Sequence, residues 1–227
     1  MSADRTRRLG IIGGLAVGAT CAFYKRLYTW MSSRSALDMV LSHADVREII
    51  RFATLGDREQ LSSYLLSHIM RLKSAGAEVI ALPAVTPHMC IGLLQASSPL
   101  PIVDCLSAIA DEVRVKSPTK IAILGTRYVV ETGLFGFLPE GVAAVRPEEA
   151  EIDSIHNLYV RLLEHGDSTP DDVEEINRIA AGIIAREKVD LLLLAGTDFV
   201  VLPSAELQFP FIDSFEVYVR AVAAAIE

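Results

Sequence analysis

The chain has 227 residues, of which 51% are hydrophobic and 22% are charged. This hydrophobic fraction supplies enough apolar side chains for a buried core, which excludes an intrinsically disordered protein. Acidic residues (29) outnumber basic ones (21), and the net charge of −8 lacks the basic surface that nucleic-acid binding requires. The length allows one large domain or two smaller lobes.

Cofactor and metal motifs are absent from the sequence. Cys21, Cys90 and Cys105 are too widely spaced for a zinc site, and their odd number argues against a disulfide framework. We therefore expect three packed, reduced thiols. No phosphate-binding loop occurs, and Gly13-Gly14 is too short for a dinucleotide fingerprint. The sequence shows neither a signal peptide nor an apolar run long enough to cross a bilayer, which predicts a cytoplasmic protein without membrane contact.

Short apolar strands alternate with amphipathic helices along the chain. The predicted strands are residues 9–12, 78–82, 101–104, 120–124, 189–194 and 211–213. The predicted helices are residues 20–31, 57–75, 106–115, 170–186 and 216–226. Because this alternation is typical of parallel sheets covered by helices, it predicts an α/β fold.

An internal repeat divides the chain into two similar halves. Gly10-Ile-Ile-Gly-Gly14 resembles Ala122-Ile-Leu-Gly-Thr126, and Ala81-Leu-Pro-Ala84 resembles Leu193-Leu-Ala-Gly196. A third pair, residues 101–104 and 210–213, follows in the same order. The repeat predicts two pseudo-symmetric parallel-sheet lobes, residues 1–105 plus 212–227 and residues 106–211. Because ligands of such folds bind beyond the carboxyl ends of the strands, a cleft between the lobes is expected to hold the site.

The predicted strand ends carry glycine and threonine. Gly13-Gly14, Ala84-Val-Thr-Pro-His88, Gly125-Thr-Arg127 and Gly196-Thr-Asp198 follow four of the strands. Glycine lets backbone N–H groups approach an anion closely, and threonine adds a hydroxyl donor. These segments predict a site for a small carboxylate.

The same segments resemble the aspartate/glutamate racemase family over almost the whole chain. The resemblance lies in Gly10-Ile-Ile-Gly-Gly14, Pro83-Ala-Val-Thr-Pro-His88, Leu124-Gly-Thr-Arg-Tyr128, Leu194-Ala-Gly-Thr-Asp198 and Pro210-Phe-Ile-Asp213. It implies a cofactor-independent enzyme with two α/β lobes, which acts on an amino acid or another small carboxylic acid. It also implies a homodimer.

The chain departs from that family at the residues that carry the chemistry. Members of the family racemise with two cysteines, one of which removes the α-proton while the other delivers a proton to the opposite face. Aligning the motifs puts Ala84 and Gly196 at the cysteine positions, and neither side chain can transfer a proton. Val85 replaces an asparagine, and Tyr218 falls at or near a histidine. The two-thiol mechanism therefore cannot operate here.

Two other residues are candidates for proton transfer. His88 matches a family position at a strand-to-helix turn and is either a general acid/base or an orienting residue. Asp198 replaces the family's glutamate and is either an acid/base or a helix cap. Arg127 either counters a substrate charge or forms a surface ion pair. The residues predicted to bind substrate are Gly13, Gly14, His43, Ala84, Val85, Thr86, Thr126, Arg127, Gly196 and Thr197.

Two classes of function remain open from the sequence. The first is a racemase-like enzyme that transfers a proton alpha to a carboxylate without the two cysteines. The second is a carboxylate-binding pseudoenzyme without catalysis, and a diverged lyase or decarboxylase on the same fold is a further alternative.

Overall fold

The computed structural model describes residues 6–227. The chain divides into two compact units. Unit 1 comprises Met1–Cys105 and Tyr218–Glu227, and unit 2 comprises Leu106–Val217. The sequence prediction divided the chain after residue 105 and after residue 211, whereas the second division in the structure follows Val217, inside the last helix.

Unit 1 is built on a parallel three-stranded sheet. Strand β1 (Leu9–Gly13) pairs with β2 (Met39–His43) on one side and with β3 (Val79–Ala81) on the other. Both β1 and β3 are buried along their whole length, as expected for continuous apolar runs with helices on both faces. The predicted strand at residues 101–104 is reduced to a single bridge between Ile80 and Ile102, which corrects that prediction.

Helices connect the strands of unit 1. Asp45 and Asp57 accept hydrogen bonds from backbone N–H groups at the starts of two of them, as N-cap residues do. The helices are α1 (Val17–Met31), α2 (Val46–Leu55), α3 (Arg58–Ser74) and α4 (Ile91–Ser97), with a short 3₁₀ helix at Thr86–Cys90. The sequence analysis predicted α1 and α3 but neither β2 nor α2.

Unit 2 contains a parallel sheet of four strands in the order β5-β4-β6-β7. The strands are β4 (Lys120–Gly125), β5 (Ala143–Val145), β6 (Leu191–Ala195) and β7 (Phe211–Asp213). Edge strand β5 and its neighbouring helix α7 (Glu149–His165) were not predicted. The remaining helices are α5 (Cys105–Lys116), α6 (Arg127–Glu131), α8 (Pro170–Glu187) and α9 (Ser214–Ile226), of which α5 begins and α9 ends in unit 1.

The core of unit 2 forms where α7 and α8 meet the sheet. Ile155, Leu158 and Leu162 of α7 pack with Ile176 and Ile183 of α8 in one cluster of buried side chains. The acidic start of α7 is a capping box formed by Glu148 and Glu151. It fixes where α7 begins, and therefore which of its side chains enter the core.

The two units repeat the same order of strands. Central strand β1 has β2 on one side and β3 on the other, and central strand β4 has β5 and β6 in the same places. The Ile80–Ile102 bridge stands where β7 stands in unit 2. The α/β class, the parallel sheets and the internal repeat are thereby confirmed. Over residues 6–227, no helix has the length and apolarity that crossing a membrane requires.

Tyr218 ties the last helix to β3 within unit 1. Its hydroxyl accepts a hydrogen bond from the Leu82 N–H at 2.9 Å and donates one to the Val103 carbonyl at 3.0 Å. The ring is fully buried and packs against Phe23 with 5.7 Å between centroids. This phenol therefore satisfies two backbone groups at the point where the chain leaves β3.

Tyr218→Phe tests that role. We expect the free energy of unfolding to fall by about 1–3 kcal/mol, because the variant leaves a buried N–H and a buried carbonyl without their partner. Urea unfolding of both proteins measures the difference. Tyr28→Phe, which removes the hydroxyl of an exposed tyrosine, is the control and should change stability little. Equal midpoints for the wild type and Tyr218→Phe would contradict the assignment.

Candidate functional site

The end of β1 makes a tight turn beside β2. Gly14 has φ +82°, and a Cβ there would lie 2.3 Å from the carbonyl oxygen of Ala44. Only glycine combines that conformation with that proximity. His43, the exposed last residue of β2, lies against Gly14, and Gly13 is buried at the end of β1. The turn therefore places three predicted binding residues together in unit 1.

His88 lies in the 3₁₀ helix that follows β3. Its Nδ1 is 2.8 Å from the carbonyl oxygen of Ala84. A carbonyl only accepts, so Nδ1 carries the proton and Nε2 presents its lone pair. Nε2 is buried without a hydrogen-bond partner in the structure, and the side chain is only 1% exposed.

Burial lowers the pKa of His88, although Asp104 and the carbonyls of Ala84, Val103 and Val85 partly oppose that shift. The imidazole is therefore neutral and can accept a proton at Nε2. Its ring meets Tyr218 edge-on, with centroids 5.8 Å apart. The Ala84 carbonyl and the Tyr218 ring thus hold the imidazole in one orientation, as a general base requires.

The neighbours of His88 differ in exposure. Ala84 and Val85 are buried, and Thr86 is partly exposed at the start of the 3₁₀ helix. The Cys90 thiol donates to the Pro87 carbonyl at 3.3 Å, and burial raises its pKa to about 12. Cys90 is thus a packed thiol, as expected. Cys21 is exposed, which corrects the expectation of three packed thiols, because it lies on the outer side of α1.

In unit 2, the end of β4 carries Thr126 and Arg127. Thr126 is the N-cap of α6, and its hydroxyl accepts from Val129 N–H at 3.4 Å. The Arg127 guanidinium contacts the carboxylates of Glu131, Glu149 and Asp153, and these hydrogen bonds raise its pKa. Protein carboxylates already neutralise this charge, which agrees with the ion-pair alternative.

Gly196 follows β6 and is covered by an aromatic ring. A Cβ at this position would lie 2.3 Å from Cε2 and 3.0 Å from Cζ of Tyr159. The backbone here is extended, with φ −166°, so the constraint is steric and not conformational. Tyr159 therefore occupies the space that any side chain at residue 196 would need.

The Tyr159 hydroxyl donates a 2.6 Å hydrogen bond to Oδ2 of Asp198. Burial raises the pKa of Asp198, and the hydrogen bond from Tyr159 opposes that rise. Burial, followed by the Asp198 charge, raises the pKa of Tyr159 well above its usual value, so the phenol keeps its proton. Asp198 is not a helix cap, because Gly196 holds that position and its turn has no side-chain cap.

Two further hydroxyls at strand ends of unit 2 are buried without a well-aligned hydrogen bond, although the Thr197 side chain lies close enough to the Tyr159 phenol to oppose the rise in its pKa. They are Oγ1 of Thr197, after β6, and Oγ of Ser214, directly after β7. Strands β6 and β7 are neighbours, with Leu194 opposite Asp213. Buried polar atoms in folded proteins are almost always hydrogen-bonded, so such hydroxyls are candidates for holding a ligand.

The structure thus groups the predicted residues by unit: Gly13, Gly14 and His43 at one turn, Ala84 to His88 after β3, and Gly196 to Asp198 after β6. Tyr159 and Ser214 are not among the residues that the sequence predicts for the site. Ser214 directly follows the predicted strand at residues 211–213, so the sequence already places it at a strand end. Tyr159 lies inside an unpredicted helix, so nothing in its sequence context marked it. Within residues 6–227, no cluster of His, Cys, Asp or Glu is arranged to bind a metal ion.

The steric relation between Gly196 and Tyr159 predicts a specific coupling. Gly196→Ala should lower the free energy of unfolding by about 1–3 kcal/mol through overpacking against the ring. In a Tyr159→Ala background, the same substitution should cost much less, because the ring is gone. Chemical denaturation of the four proteins in this double-mutant cycle measures the coupling. Additive effects would show that the ring does not restrict residue 196.

The buried neutral His88 predicts a loss of stability toward acid. Its pKa is lower folded than unfolded (about 6.5), so the unfolded chain binds more protons as the pH falls below that value. Between pH 7 and 5.5 the wild type should lose about 1 kcal/mol more than His88→Asn. Asparagine keeps a donor for Ala84. Unfolding at each pH measures this difference, and at pH 8, where histidine is neutral in both states, the difference should not depend on pH. Parallel curves down to pH 5.5 would contradict a buried neutral imidazole.

The fold is shared with solved structures of racemases. An aspartate racemase homologue from Pyrococcus horikoshii OT3 is 22% identical, with a TM-score of 0.78 over 97% of this chain and 100% of that one. The aspartate racemase of Picrophilus torridus is also 22% identical, with a TM-score of 0.78 over 97% and 94%. A Gly74Cys-Cys188Ser mutant of arylmalonate decarboxylase is 17% identical, with a TM-score of 0.63 over 97% and 92%. Because the family model for Asp/Glu/Hydantoin racemases matches residues 12–222, the chain belongs to that family.

Proposed function

We propose that this protein is an enzyme that transfers a proton alpha to the carboxylate of a small carboxylic or amino acid. Like the family it belongs to, it would work without a cofactor. The proposed acid/base residues are His88 and Asp198, since Ala84 and Gly196 offer no proton-transferring group. The reaction class is isomerase, with a lyase on the same fold as the nearest alternative. Two further proposals accompany it: a homodimer, which the resemblance supports, and a cytoplasmic location.

One observation carries the proposal: in each unit, polar side-chain atoms that are buried without a hydrogen-bond partner follow a parallel strand. Nε2 of His88 lies in the 3₁₀ helix after β3, Oγ1 of Thr197 follows β6, and Oγ of Ser214 comes directly after β7. The other two such side-chain atoms among the described residues belong to Ser35 and His156. The Thr197 and Ser214 hydroxyls would donate to a substrate carboxylate.

Proton removal next to a carboxylate needs stabilisation of the charge that develops. When the α-proton leaves, electron density moves onto the carboxylate oxygens. Buried hydroxyl donors that are already in place stabilise that charge without reorganisation, which contributes far more in a dry site than in water. The neutral imidazole of His88 is then a suitable base, because its Nε2 lone pair has no hydrogen-bond partner in the protein and is available to accept a proton.

A second candidate, a carboxylate-binding pseudoenzyme, is favoured by a different observation. The two positions aligned with cysteines hold Ala84 and Gly196, and the space beside Gly196 is filled by a ring. Such a protein would bind a small acid through the same hydroxyls and release it unchanged.

Proton exchange in D2O separates the two candidates. The protein is incubated with L-aspartate, L-glutamate, L-alanine and L-malate, and the α-proton signals are followed by NMR. We expect exchange of at least one acid and a loss of roughly 100-fold or more in His88→Asn, as for removal of a general base. Binding without exchange across the panel would sink the enzyme proposal and favour the pseudoenzyme.

A further inference from the structure

We infer that the phenol of Tyr159 takes the place of a proton-transferring side chain at residue 196 and relays a proton between Asp198 and the α-carbon of the substrate. This inference rests on the proposed function and names a residue that the sequence pattern did not indicate. It assigns Asp198 the role of proton store and Tyr159 the role of the group that meets the substrate.

The first support is the position of the ring. A Cβ on Gly196 would fall 2.3 Å from Cε2 of Tyr159, so the ring lies where the side chain of residue 196 would begin. Glycine, which has no side chain, therefore leaves the room that the tyrosine ring needs. By the motif alignment, residue 196 is where the family carries a thiol. In this chain, a side chain from α7 therefore occupies the place that a side chain at residue 196, directly after β6, would take.

The second support is how firmly the ring is held. It packs edge-on against Phe199, with centroids 5.2 Å apart, and belongs to the core cluster of unit 2. Its hydroxyl is fixed by the 2.6 Å bond to Asp198. If Tyr159 only filled space in the core, an apolar neighbour would suffice. A buried carboxylate such as Asp198 costs free energy, so its pairing with the phenol points to a further role.

The geometry of the pair assigns the two roles. The Tyr159 ring, and not the carboxylate, occupies the space beside Gly196. The Tyr159 hydroxyl donates to Oδ2 of Asp198, so a proton can pass between the phenol and the carboxylate.

The proton transfer balances. In the delivering direction, the O–H bond of Tyr159 breaks and a C–H bond forms at the α-carbon of the carbanionic substrate. The protonated carboxyl group of Asp198 then gives its proton to the phenolate oxygen. The net change is one proton from Asp198 to the α-carbon, with the phenol restored. The reverse sequence removes a proton and leaves Asp198 in its acid form.

Tyr159→Phe tests the relay with the smallest change to the packing. The variant keeps the ring, its contact with Phe199 and its steric effect on Gly196, and it removes only the hydroxyl. We expect exchange of the α-proton in D2O to fall by roughly 100-fold or more, while the affinity for the same acid changes less than about 3-fold. Asp198→Asn should lose exchange to a similar extent. Thermal unfolding and circular dichroism verify that both variants fold, and Tyr28→Phe is the matched control that should retain exchange.

Each outcome decides the inference. Lost exchange with retained binding and folding in both variants supports the relay. Exchange retained in Tyr159→Phe overturns the relay but leaves the proposed function intact. Lost exchange together with a parallel loss of affinity overturns it as well, because the hydroxyl would then bind substrate and not transfer a proton. If the wild type binds the acids and exchanges none, the proposed function fails, and the relay fails with it.

Discussion

Every paired strand in each unit runs in the same direction, and the remaining features depend on that constraint. Because the strands are parallel, the chain leaves all of them at one edge of its sheet. β1, β3, β4 and β6 are buried almost throughout, so the residues that follow them lie at the boundary of a dry core. A polar group placed there is desolvated and must find a partner, in the protein or in a ligand.

The two units meet that requirement with tyrosines in different ways. In unit 1, the Tyr218 hydroxyl satisfies backbone groups at Leu82 and Val103, and its ring orients His88. In unit 2, the Tyr159 hydroxyl binds Asp198, and its ring closes the space beside Gly196. Each unit therefore sets one buried ionisable group beside one tyrosine.

The sequence predicted the parts of the fold that local patterns determine. Continuous apolar runs marked β1, β3, β4 and β6, and their repetition marked the two halves. Edge strands β2 and β5 are only partly buried, so their patterns were weaker. Tyr159 could not be found, since its relation to Gly196 exists only after α7 packs on the sheet.

A crystal structure with bound malonate would show whether the buried groups without a hydrogen-bond partner at the strand ends form a carboxylate site. Malonate carries two carboxylates and lacks the chemistry that would turn it over in the racemisation direction. We predict a carboxylate oxygen within about 3 Å of the Thr197 hydroxyl. Malonate bound only elsewhere, for example in the 540 Å³ groove between Pro170 and Gln208, would contradict it.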